Sequence, residues 1–439
     1  MKPRICSRPG RARLSFGALA LGTFLAACSR DSAPGETGDR PQGKAQEPPR
    51  PTGRWRDAPG CSGPLTPEQR AKIEELQGIG YASGSTPAPE LSGVTLHHRE
   101  RAYQGWNLYT SGHGAMATLM DMDGKVLHTW SADFARVWPD EHLEGWNLAL
   151  TYFWRRAFLY DNGDLLAIFD GHSLVKLDKD SNVLWKSRCG AHHDLEVLPG
   201  GDMYVLTREA HVVPEFNEQE PILEDFVSLL GPDGAEKQRF SLLEALDVSP
   251  FRELAENARK RRGDVLHTNS IAVLDGRLTA QIPAFKKGNL LVSSRPLSFL
   301  SVVDLERQEL VWTLQGSFRE QHDPKVLENG NLLVFDNAGR GEASTVLELD
   351  PVTGKTVWEY RGSEDAPFYS RTCGTAERLP NGNTLITESD SGRAFEVTAA
   401  GEIVWEFWNP QRAGPEGEYI ATLFEVVRVD PERHGGWSR

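Results

Sequence analysis

Two residues suited to binding chemistry flank a predicted β-hairpin, with His322 before its first strand and Arg340 after its second. The Asn329-Gly330 pair predicts the hairpin, because it lies between two apolar runs and is the strongest short-range signal for such a turn. The strands of an antiparallel hairpin run side by side, so both residues are expected at its open end. An imidazole and a guanidinium there would suit an anionic small molecule.

The hairpin belongs to a repeat that recurs from residue 105 onward. Each unit has a short strand, an Asn-Gly-type turn, a second strand, a polar loop, a third strand ending in Asp, a turn, and a fourth strand ending in Trp. Copies begin at residues 162, 193, 267, 322 and 374, and a half copy covers 117–130. Four strands per period of about 40–50 residues are typical of a β-propeller blade. The repeat therefore predicts an all-β, six-bladed propeller over residues 105–430, with an array of β-sandwiches as the rival fold.

An apolar, alternating segment near the end of the chain, 421–429, is expected to pair with the half copy and close the ring. Closure removes the exposed sheet edges that would otherwise template aggregation. In such a ring the first strand of each blade lines the central channel, so the strand starts meet at one mouth. Superposing the copies on their turns predicts further residues there. The predicted pocket walls are His192, Arg208, His211 and Arg393, and the residues predicted as nucleophile or pocket are His193, Arg371 and Cys373.

The repeated region resembles the bacterial arylsulfotransferases, which are periplasmic six-bladed propellers. The segments that carry the resemblance are HHDLEVLPGG (192–201), DVLHTNSI (264–271), QHDPKVLENGNLLVFDNAGRG (321–341) and RLPNGNTLITESDSGRAFEVTAAGEIVWEFWNP (378–410). The resemblance implies transfer of a sulfuryl group from a phenolic sulfate to another phenol, without a nucleotide sulfate donor, through a sulfated histidine. It also implies that His267 and His322 are active-site histidines and that Arg340 holds the sulfuryl oxygens.

One departure from the family concerns the nucleophile, a histidine of a late blade. The corresponding segment here reads SRTCGTAE (370–377). His193 or His267 could serve instead, Cys373 could replace the histidine, or the protein could only bind. Cys373 itself has three open states, which are a thiolate favoured by nearby cations, a disulfide with Cys189, and an inert buried thiol. The alternative functions are therefore a non-catalytic propeller that binds an anionic ligand or a partner protein, and a thiol-dependent enzyme.

Composition and motifs limit the partners. The formal net charge of −14 over 439 residues argues against nucleic acid as a ligand. We expect no cofactor and no metal, because the chain has no phosphate-binding loop and no zinc-ligand spacing, and the turn DKDSN (178–182) lacks the glycine and distal glutamate of a calcium loop. The expected partners are a small anionic aryl sulfate and the membrane, through the lipidated Cys28, and the sequence does not identify a protein partner.

The first 27 residues are predicted to be a lipoprotein signal peptide. A basic start is followed by an apolar run over 14–27 that ends in Leu-Ala-Ala before Cys28, the residue expected to be lipidated. An ordinary secretory signal and a short transmembrane anchor are the alternatives, although fourteen apolar residues are few for a span that needs about twenty. The resulting expectation is a protein that faces the periplasm and is anchored in the outer rather than the inner membrane.

Three further segments complete the predicted organisation. Residues 28–63 are rich in Pro, Gly and charge and are predicted to be a disordered, lipid-anchored tether. Residues 64–104 are predicted to be a short helical extension, with Thr66 as N-cap, Pro67 at the first helical position and Gln69 two residues later. Residues 431–439 are a C-terminal tail.

Overall fold

The computed structural model describes residues 65–78, 81–143, 151–316, 318–339 and 341–437. The predicted signal peptide, the tether and Arg340 lie outside these residues. Five short α-helices are present in this part of the chain, and they are α1 (Pro67–Gln77), α2 (Phe134–Val137), α3 (Leu242–Asp247), α4 (Arg252–Arg259) and α5 (Pro431–His434), with a 3-10 turn at Pro283–Phe285. None of the helices in the described ranges is long and apolar enough to cross a membrane.

Strands form most of the ordered structure. Those in the first half are β1 (Thr86–Pro87), β2 (Gly93–His97), β3 (Trp106–Ser111), β4 (Met116–Met120), β5 (Val126–Ser131), β6 (Arg156–Leu159), β7 (Leu165–Phe169), β8 (Ser173–Leu177), β9 (Val183–Ser187), β10 (Ala191–Val197), β11 (Met203–His211), β12 (Ile222–Leu230) and β13 (Glu236–Ser241). Those in the second half are β14 (Gly263–Asp264), β15 (Thr268–Val273), β16 (Leu290–Ser294), β17 (Phe299–Asp304), β18 (Glu309–Leu314), β19 (His322–Val326), β20 (Leu332–Asp336), β21 (Thr345–Leu349), β22 (Thr356–Arg361), β23 (Thr375–Arg378), β24 (Thr384–Glu388), β25 (Arg393–Val397), β26 (Ile403–Trp408), β27 (Arg412–Ala413), β28 (Tyr419–Ile420) and β29 (Leu423–Val429).

These strands form six antiparallel sheets in chain order. Sheet 1 has the order β29-β3-β4-β5, and sheets 2 to 5 are β6–β9, β10–β13, β15–β18 and β19–β22. Sheet 6 is β23–β26 with β2 added outside β26, and β1, β28 and β27 form a small separate sheet. Residues 421–429 join the sheet that contains the half copy, as predicted, but their partner is β3, which precedes 117–130: Leu423 lies opposite Ser111 and Val429 lies opposite Trp106.

The Asn-Gly turns close their hairpins in one recurring way. In sheet 5 the Gly330 N–H donates to the Leu327 carbonyl at 2.9 Å, the Leu327 N–H donates to the Asn331 carbonyl at 2.8 Å, and Gly330 has a φ of 86°. This is a three-residue loop whose last position is left-handed, a conformation that glycine adopts at little cost. The same two hydrogen bonds occur in the first hairpins of sheets 2, 3 and 6.

The tryptophans that end the fourth strands join one sheet to the next. The Trp130 indole N–H donates to the Gly163 carbonyl of sheet 2 at 3.0 Å, and Trp185 donates to Pro232 of sheet 3 at 3.0 Å. Trp405 of sheet 6 donates to the Met122 carbonyl of sheet 1 at 2.9 Å. A buried indole N–H needs an acceptor, so each ring both fills the space between sheets and fixes their separation. The last sheet therefore contacts the first.

The inner strands, meaning the first strand of each of sheets 2 to 6 and β29 of sheet 1, also contact one another. The contacts join β10 with β15, β15 with β19, β19 with β23 and β23 with β29. Arg156 on β6 bridges two of them, since its Nε lies 2.9 Å from Asp194 Oδ1 and its Nη2 lies 2.9 Å from Glu425 Oε1. Lys325 on β19 pairs with Asp323 at 2.9 Å. Buried charges are stable only when paired in this way, so these ion pairs connect the inner strands of sheets 1, 2 and 3.

The segment before sheet 1 contains the predicted helix and also two strands that were not predicted. The predicted cap is confirmed, because Thr66 and Gln69 each accept a hydrogen bond from the other's backbone N–H, and Leu76 of α1 packs against Ala210 and Leu223. The prediction was incomplete, however, because β1 and β2 extend two sheets. Between α1 and β1 the chain also carries Tyr81 to the strand starts.

Candidate functional site

Three inner strands begin with an irregular register at the same end of the molecule. The pairing shifts between Ala191 and Leu195, between Thr268 and Ile271, and between His322 and Lys325. Positive φ angles of 54° at His193, 43° at His267 and 51° at Asp323 accompany the shifts. Such angles cost free energy in non-glycine residues and re-aim the side chains beside a bulge. The bulges therefore account for the convergence of histidines from sheets 3, 4 and 5.

Two of these histidines meet at a phenol. The Nε2 atoms of His193 and His267 lie 3.2 Å apart. The hydroxyl oxygen of Tyr81 lies 2.5 Å from His193 Nε2 and 3.2 Å from His267 Nε2. The rings of Tyr81 and His193 meet edge to face, with centroids 5.4 Å apart. The centre of the site is thus a phenolic oxygen between two imidazole nitrogens.

Asp264 orients His267. The Nδ1 of His267 lies 2.5 Å from Asp264 Oδ2 and donates to that carboxylate, so its Nε2 faces the phenol. Burial opposes ionisation of Asp264, but the charge and hydrogen bond of His267 and the charge of Arg208 lower its pKa to about 2. Parallel pairing of β14 with β12 holds Asp264 opposite Leu223. A fixed carboxylate behind an imidazole is the arrangement of a general base.

His193 is buried and neutral. Its Nδ1 lies 2.7 Å from the Nδ1 of His192, so one of these nitrogens donates to the other. Burial, reinforced by neighbouring imidazoles and by the charges of Arg155 and Arg208, holds the pKa of His193 well below its ordinary value. With His192 donating at Nδ1, the His193 Nε2–H points at the Tyr81 oxygen. His193 is then a hydrogen-bond donor to any oxygen at that position.

His322 presents a free nitrogen to the same region. Its Nδ1 lies 2.7 Å from the Asn337 side-chain oxygen and 3.0 Å from the Glu320 carbonyl, two acceptors that place the proton on Nδ1. Nε2 is buried and has no hydrogen-bond partner among the described residues. The pKa of His322 is well below its ordinary value, mainly because the ring is buried and secondly because the positive charge of Arg295 is nearby. The Nε2 lone pair is therefore available at neutral pH.

A buried guanidinium supplies positive charge. Arg155 is only 4% exposed, and in the described part of the chain its Nε and Nη1 have no hydrogen-bond partners. Its guanidinium carbon lies 5.0 Å from the centre of the Tyr81 ring and 5.2 Å from that of Phe424. Buried N–H donors without acceptors cost stability. An anion that bound beside Tyr81 would satisfy them.

Comparison with known proteins identifies the family. The model of the family described as arylsulfotransferase (ASST) matches residues 156–410, which is 255 of 439 residues and so more than half of the chain. The chain belongs to the arylsulfotransferase family. This confirms the resemblance drawn from the sequence, and the matched range contains His193, His267 and His322. No curated protein matches this arylsulfotransferase-family chain.

Solved structures with similarity to this family member have low sequence identity. A protein of unknown function from Bacteroides caccae has a TM-score of 0.48 and 13% identity, covering 74% of this chain and 99% of its own. The Cps50 (Swd1) β-propeller domain of Myceliophteria thermophila has a TM-score of 0.42 and 14% identity, covering 79% and 99%. Streptogramin B lyase has a TM-score of 0.41 and 12% identity, covering 78% and 95%.

Of the three states left open for Cys373, the structure of this family member favours the inert buried thiol. Cys373 is fully buried, and burial raises its pKa to about 11 despite the nearby charge of Arg155. Its neighbours are apolar, namely Phe153 and Phe424. Cys189 and Cys373 are both free, so the disulfide between them is not formed. A protonated thiol packed between aromatic rings corresponds to the third state, an inert buried thiol.

The other predicted wall residues divide into two groups. His192 and Arg208 belong to the histidine cluster, since the Arg208 guanidinium lies 3.5 Å from the Asp170 carboxylate that accepts the His193 backbone N–H. His211 instead forms a short hydrogen bond with the Glu224 carboxylate, outside the contacts of the cluster. Arg340 lies outside the described residues, so its role remains a prediction.

Arg371 and Arg393 line a different cavity. It has a volume of about 770 Å³ and lies between the segment of β1 and β2 and the outer strands of sheet 6. Its wall combines the apolar Leu91, Leu96 and Trp408 with these two arginines. Arg393 is already paired with Glu388 and Glu406. The structure therefore places both arginines at this cavity, and their predicted place at the histidine pocket stays a prediction.

Sequence reasoning missed four residues of the site, namely Tyr81, Arg155, Asp264 and Asn337. Asp264 carried a usable signal, because it precedes His267 by three residues in a segment already singled out. Tyr81 had none, because it lies before the repeat. No group of three or more His, Cys, Asp or Glu side chains in the described ranges is arranged to hold a metal ion.

Asn337 positions His322, and we expect Asn337→Ala to lower the turnover of an aryl sulfate by at least about tenfold. The Asn337 amide donates to the Ser370 and Cys373 carbonyls at 2.8 and 2.7 Å, which turns its oxygen towards His322. Small displacements of a reacting group cost up to about 10²-fold. Steady-state kinetics against Asn383→Ala, a buried amide that instead contacts Arg101 and Glu396, test this. Equal loss in both variants would contradict a positioning role.

Proposed function

We propose that the protein transfers a sulfuryl group from an aryl sulfate to a phenol at the histidine cluster. The observation that carries the proposal is the pair of Nε2 atoms of His193 and His267, which converge on a phenolic oxygen beside Arg155, whose Nε and Nη1 lack hydrogen-bond partners among the described residues. Sulfuryl transfer requires these same elements, since the sulfuryl oxygens are anionic and a phenol must lose or gain a proton.

Each side chain then has a role set by its contacts. His267, with Asp264 behind it, accepts the proton of the attacking phenol and returns it to the departing phenolate. His193 donates to the phenolic oxygen on which charge develops. Arg155 binds the sulfuryl oxygens, and Arg340 is the further clamp that the sequence predicts. These roles need no cofactor.

The setting of this reaction is also part of the proposal. We infer that the six sheets are the blades of a β-propeller, a reading supported by the pairing of β29 with β3 and by the Trp405 hydrogen bond from sheet 6 to sheet 1. The histidine cluster would then lie at one mouth of the channel. The basic and apolar start of the chain before Cys28 supports a lipid-anchored protein facing the periplasm.

The test is a direct assay. The purified full chain, in detergent, is incubated with a chromogenic aryl sulfate and an excess of a phenol acceptor, and phenolate release and the new aryl sulfate are followed together. Equal amounts of both products are expected. Release without a sulfated acceptor would indicate hydrolysis. A folded protein that binds the donor but releases nothing, across several donors, would support the non-catalytic anion-binding alternative.

A further inference from the structure

Tyr81 occupies the position of a nucleophile in the histidine cluster. Its hydroxyl faces His267 Nε2 at 3.2 Å, and His267 Nδ1 in turn faces Asp264 at 2.5 Å. Nucleophile, base and orienting carboxylate are thus aligned in the manner of a hydrolase triad. On its other side the same oxygen receives the His193 contact at 2.5 Å.

We propose that Tyr81 is the residue that carries the sulfuryl group between donor and acceptor, as a tyrosine O-sulfate. This inference rests on the proposed function and assigns the covalent step to a residue outside the matched family region of 156–410. It supplies a nucleophile where the late-blade segment offers only the buried, protonated thiol of Cys373.

The step balances without a further reactant. In the first half, the Tyr81 oxygen attacks the sulfur of the aryl sulfate, the bond from sulfur to the aryl oxygen breaks, and the phenol proton passes through His267 to the departing aryl oxide. In the second half, the acceptor phenol attacks the sulfur on Tyr81, the bond from sulfur to the Tyr81 oxygen breaks, and the acceptor's proton returns through His267 to Tyr81. Nothing is oxidised or reduced.

The surroundings of Tyr81 fit both the anion and the proton transfer. Donor atoms without partners in the described residues lie on Arg155, whose guanidinium is close to the Tyr81 ring, and on Arg295, whose charge acts on both Tyr81 and His322. Burial raises the pKa of Tyr81 well above its ordinary value, so the phenol does not ionise unaided. The His267–Asp264 pair supplies the base that this requires.

Tyr81 also has the anchoring that a reacting side chain needs. Its ring packs edge to face on Phe424, with centroids 6.1 Å apart, and Phe153 and Cys373 complete its apolar surroundings. Just beyond it, the Ala82 and Ser83 carbonyls accept hydrogen bonds from Thr422. The residue is therefore held against β29 rather than left on a free end.

The experiment uses a radiosulfur-labelled aryl sulfate and no acceptor. We expect about one equivalent of covalent label on the wild type, located on the tryptic peptide 73–99, in which Tyr81 is the sole tyrosine. Addition of a phenol should remove the label as sulfated phenol. Tyr81→Phe, which deletes one oxygen and keeps the ring, should lose both the label and turnover. Tyr103→Phe, a tyrosine of the same extension that lies outside the cluster, should keep both.

The outcomes separate this inference from the proposed function. Normal turnover by Tyr81→Phe, or label on another peptide, would overturn the relay while leaving sulfuryl transfer intact. Faster turnover by Tyr81→Ala would show that the phenol blocks the site and does not carry the group. Loss of turnover in Tyr81→Phe with no label on wild-type peptide 73–99 would overturn the relay and leave the Tyr81 hydroxyl a non-covalent role, as a hydrogen-bonding partner of His193 and His267. Absence of acceptor sulfation by the wild type would remove the proposed function itself. If Tyr81→Phe does not fold, the presence or absence of label on peptide 73–99 of the wild type decides whether Tyr81 carries the sulfuryl group.

Discussion

Replacing His267 by Asn is expected to lower kcat/KM for aryl sulfate turnover by about 10²- to 10⁴-fold, the range attributed to a general acid-base group. The ring nitrogens of His267 contact the phenolic oxygen at 3.2 Å on one side and the Asp264 carboxylate at 2.5 Å on the other. Asn retains a polar group beside Asp264 but cannot move a proton. The measurement is initial-rate phenolate release at neutral pH with a phenol acceptor.

The matched control is His211→Asn. His211 is also a histidine paired with a carboxylate, that of Glu224, but it makes no contact with the cluster. Its turnover per folded molecule should stay within about twofold of the wild type, because Asn keeps a polar group beside Glu224 and removes no atom from the histidine cluster. Similar losses in the two variants, or full activity in His267→Asn, would contradict the role of His267 as base.

The second large effect concerns stability. Arg156→Met should lower the free energy of unfolding by about 3–5 kcal/mol at pH 8, the cost of removing one partner from a buried ion pair. Asp194 and Glu425 would remain buried at the inner strands without their shared cation, which now lies 2.9 Å from each. Urea-induced unfolding, followed by tryptophan fluorescence, measures the loss.

The carboxyl groups of Asp194 and Glu425 determine how the stability loss in Arg156→Met changes with pH. Burial raises the pKa of both Asp194 and Glu425, with Arg156 opposing the rise, so removing Arg156 raises these values further. A carboxyl group whose pKa is higher in the folded than in the unfolded chain destabilises the fold when the pH is above the folded-state pKa. This destabilisation vanishes once the pH is below the unfolded-state pKa, because the group is then protonated in both states. The loss of unfolding free energy in Arg156→Met should therefore shrink as the pH falls from 8 to 5.

Arg99→Met is the control for that variant. Arg99 pairs with Asp123 at 2.5 Å, but both side chains are more than half exposed, at 69% and 51%. Exposed pairs contribute about 0–1 kcal/mol. An equal loss in the two variants, or a loss in Arg156→Met that does not change with pH, would contradict the account of the buried network.

Much of the fold could be predicted because its signals are local and repeated. Each Asn-Gly-type turn marks a first hairpin, and a tryptophan ends the fourth strand of most copies. Repetition also allowed one copy to predict another, which is how the alternating segment 421–429 was matched to the half copy. The addition of β2 to sheet 6 was not predicted, because an edge strand outside the repeat has no copy with which it can be aligned.

The sequence predicted only those site residues that belong to the repeated units. His193, His267 and His322 were found because each lies near the start of a first strand, at a position that alignment of the copies can compare. Tyr81 approaches from the chain before the repeat, and Arg155 directly precedes β6, a strand that the copies did not mark. The state of Cys373 stayed open because burial, which raises the pKa of its thiol, cannot be read from the charges of residues nearby in the sequence.

The pairing of β29 with β3 has a consequence for biosynthesis. Residue 423 follows residue 111 by 312 positions, so β3 is made long before the strand that covers it. Until then its unpaired N–H and C=O groups form an open template for another chain. This last contact is also among the most distant in sequence, and such contacts form slowly. Synthesis of β29, rather than completion of any earlier sheet, is therefore the step that first allows this edge of β3 to be covered.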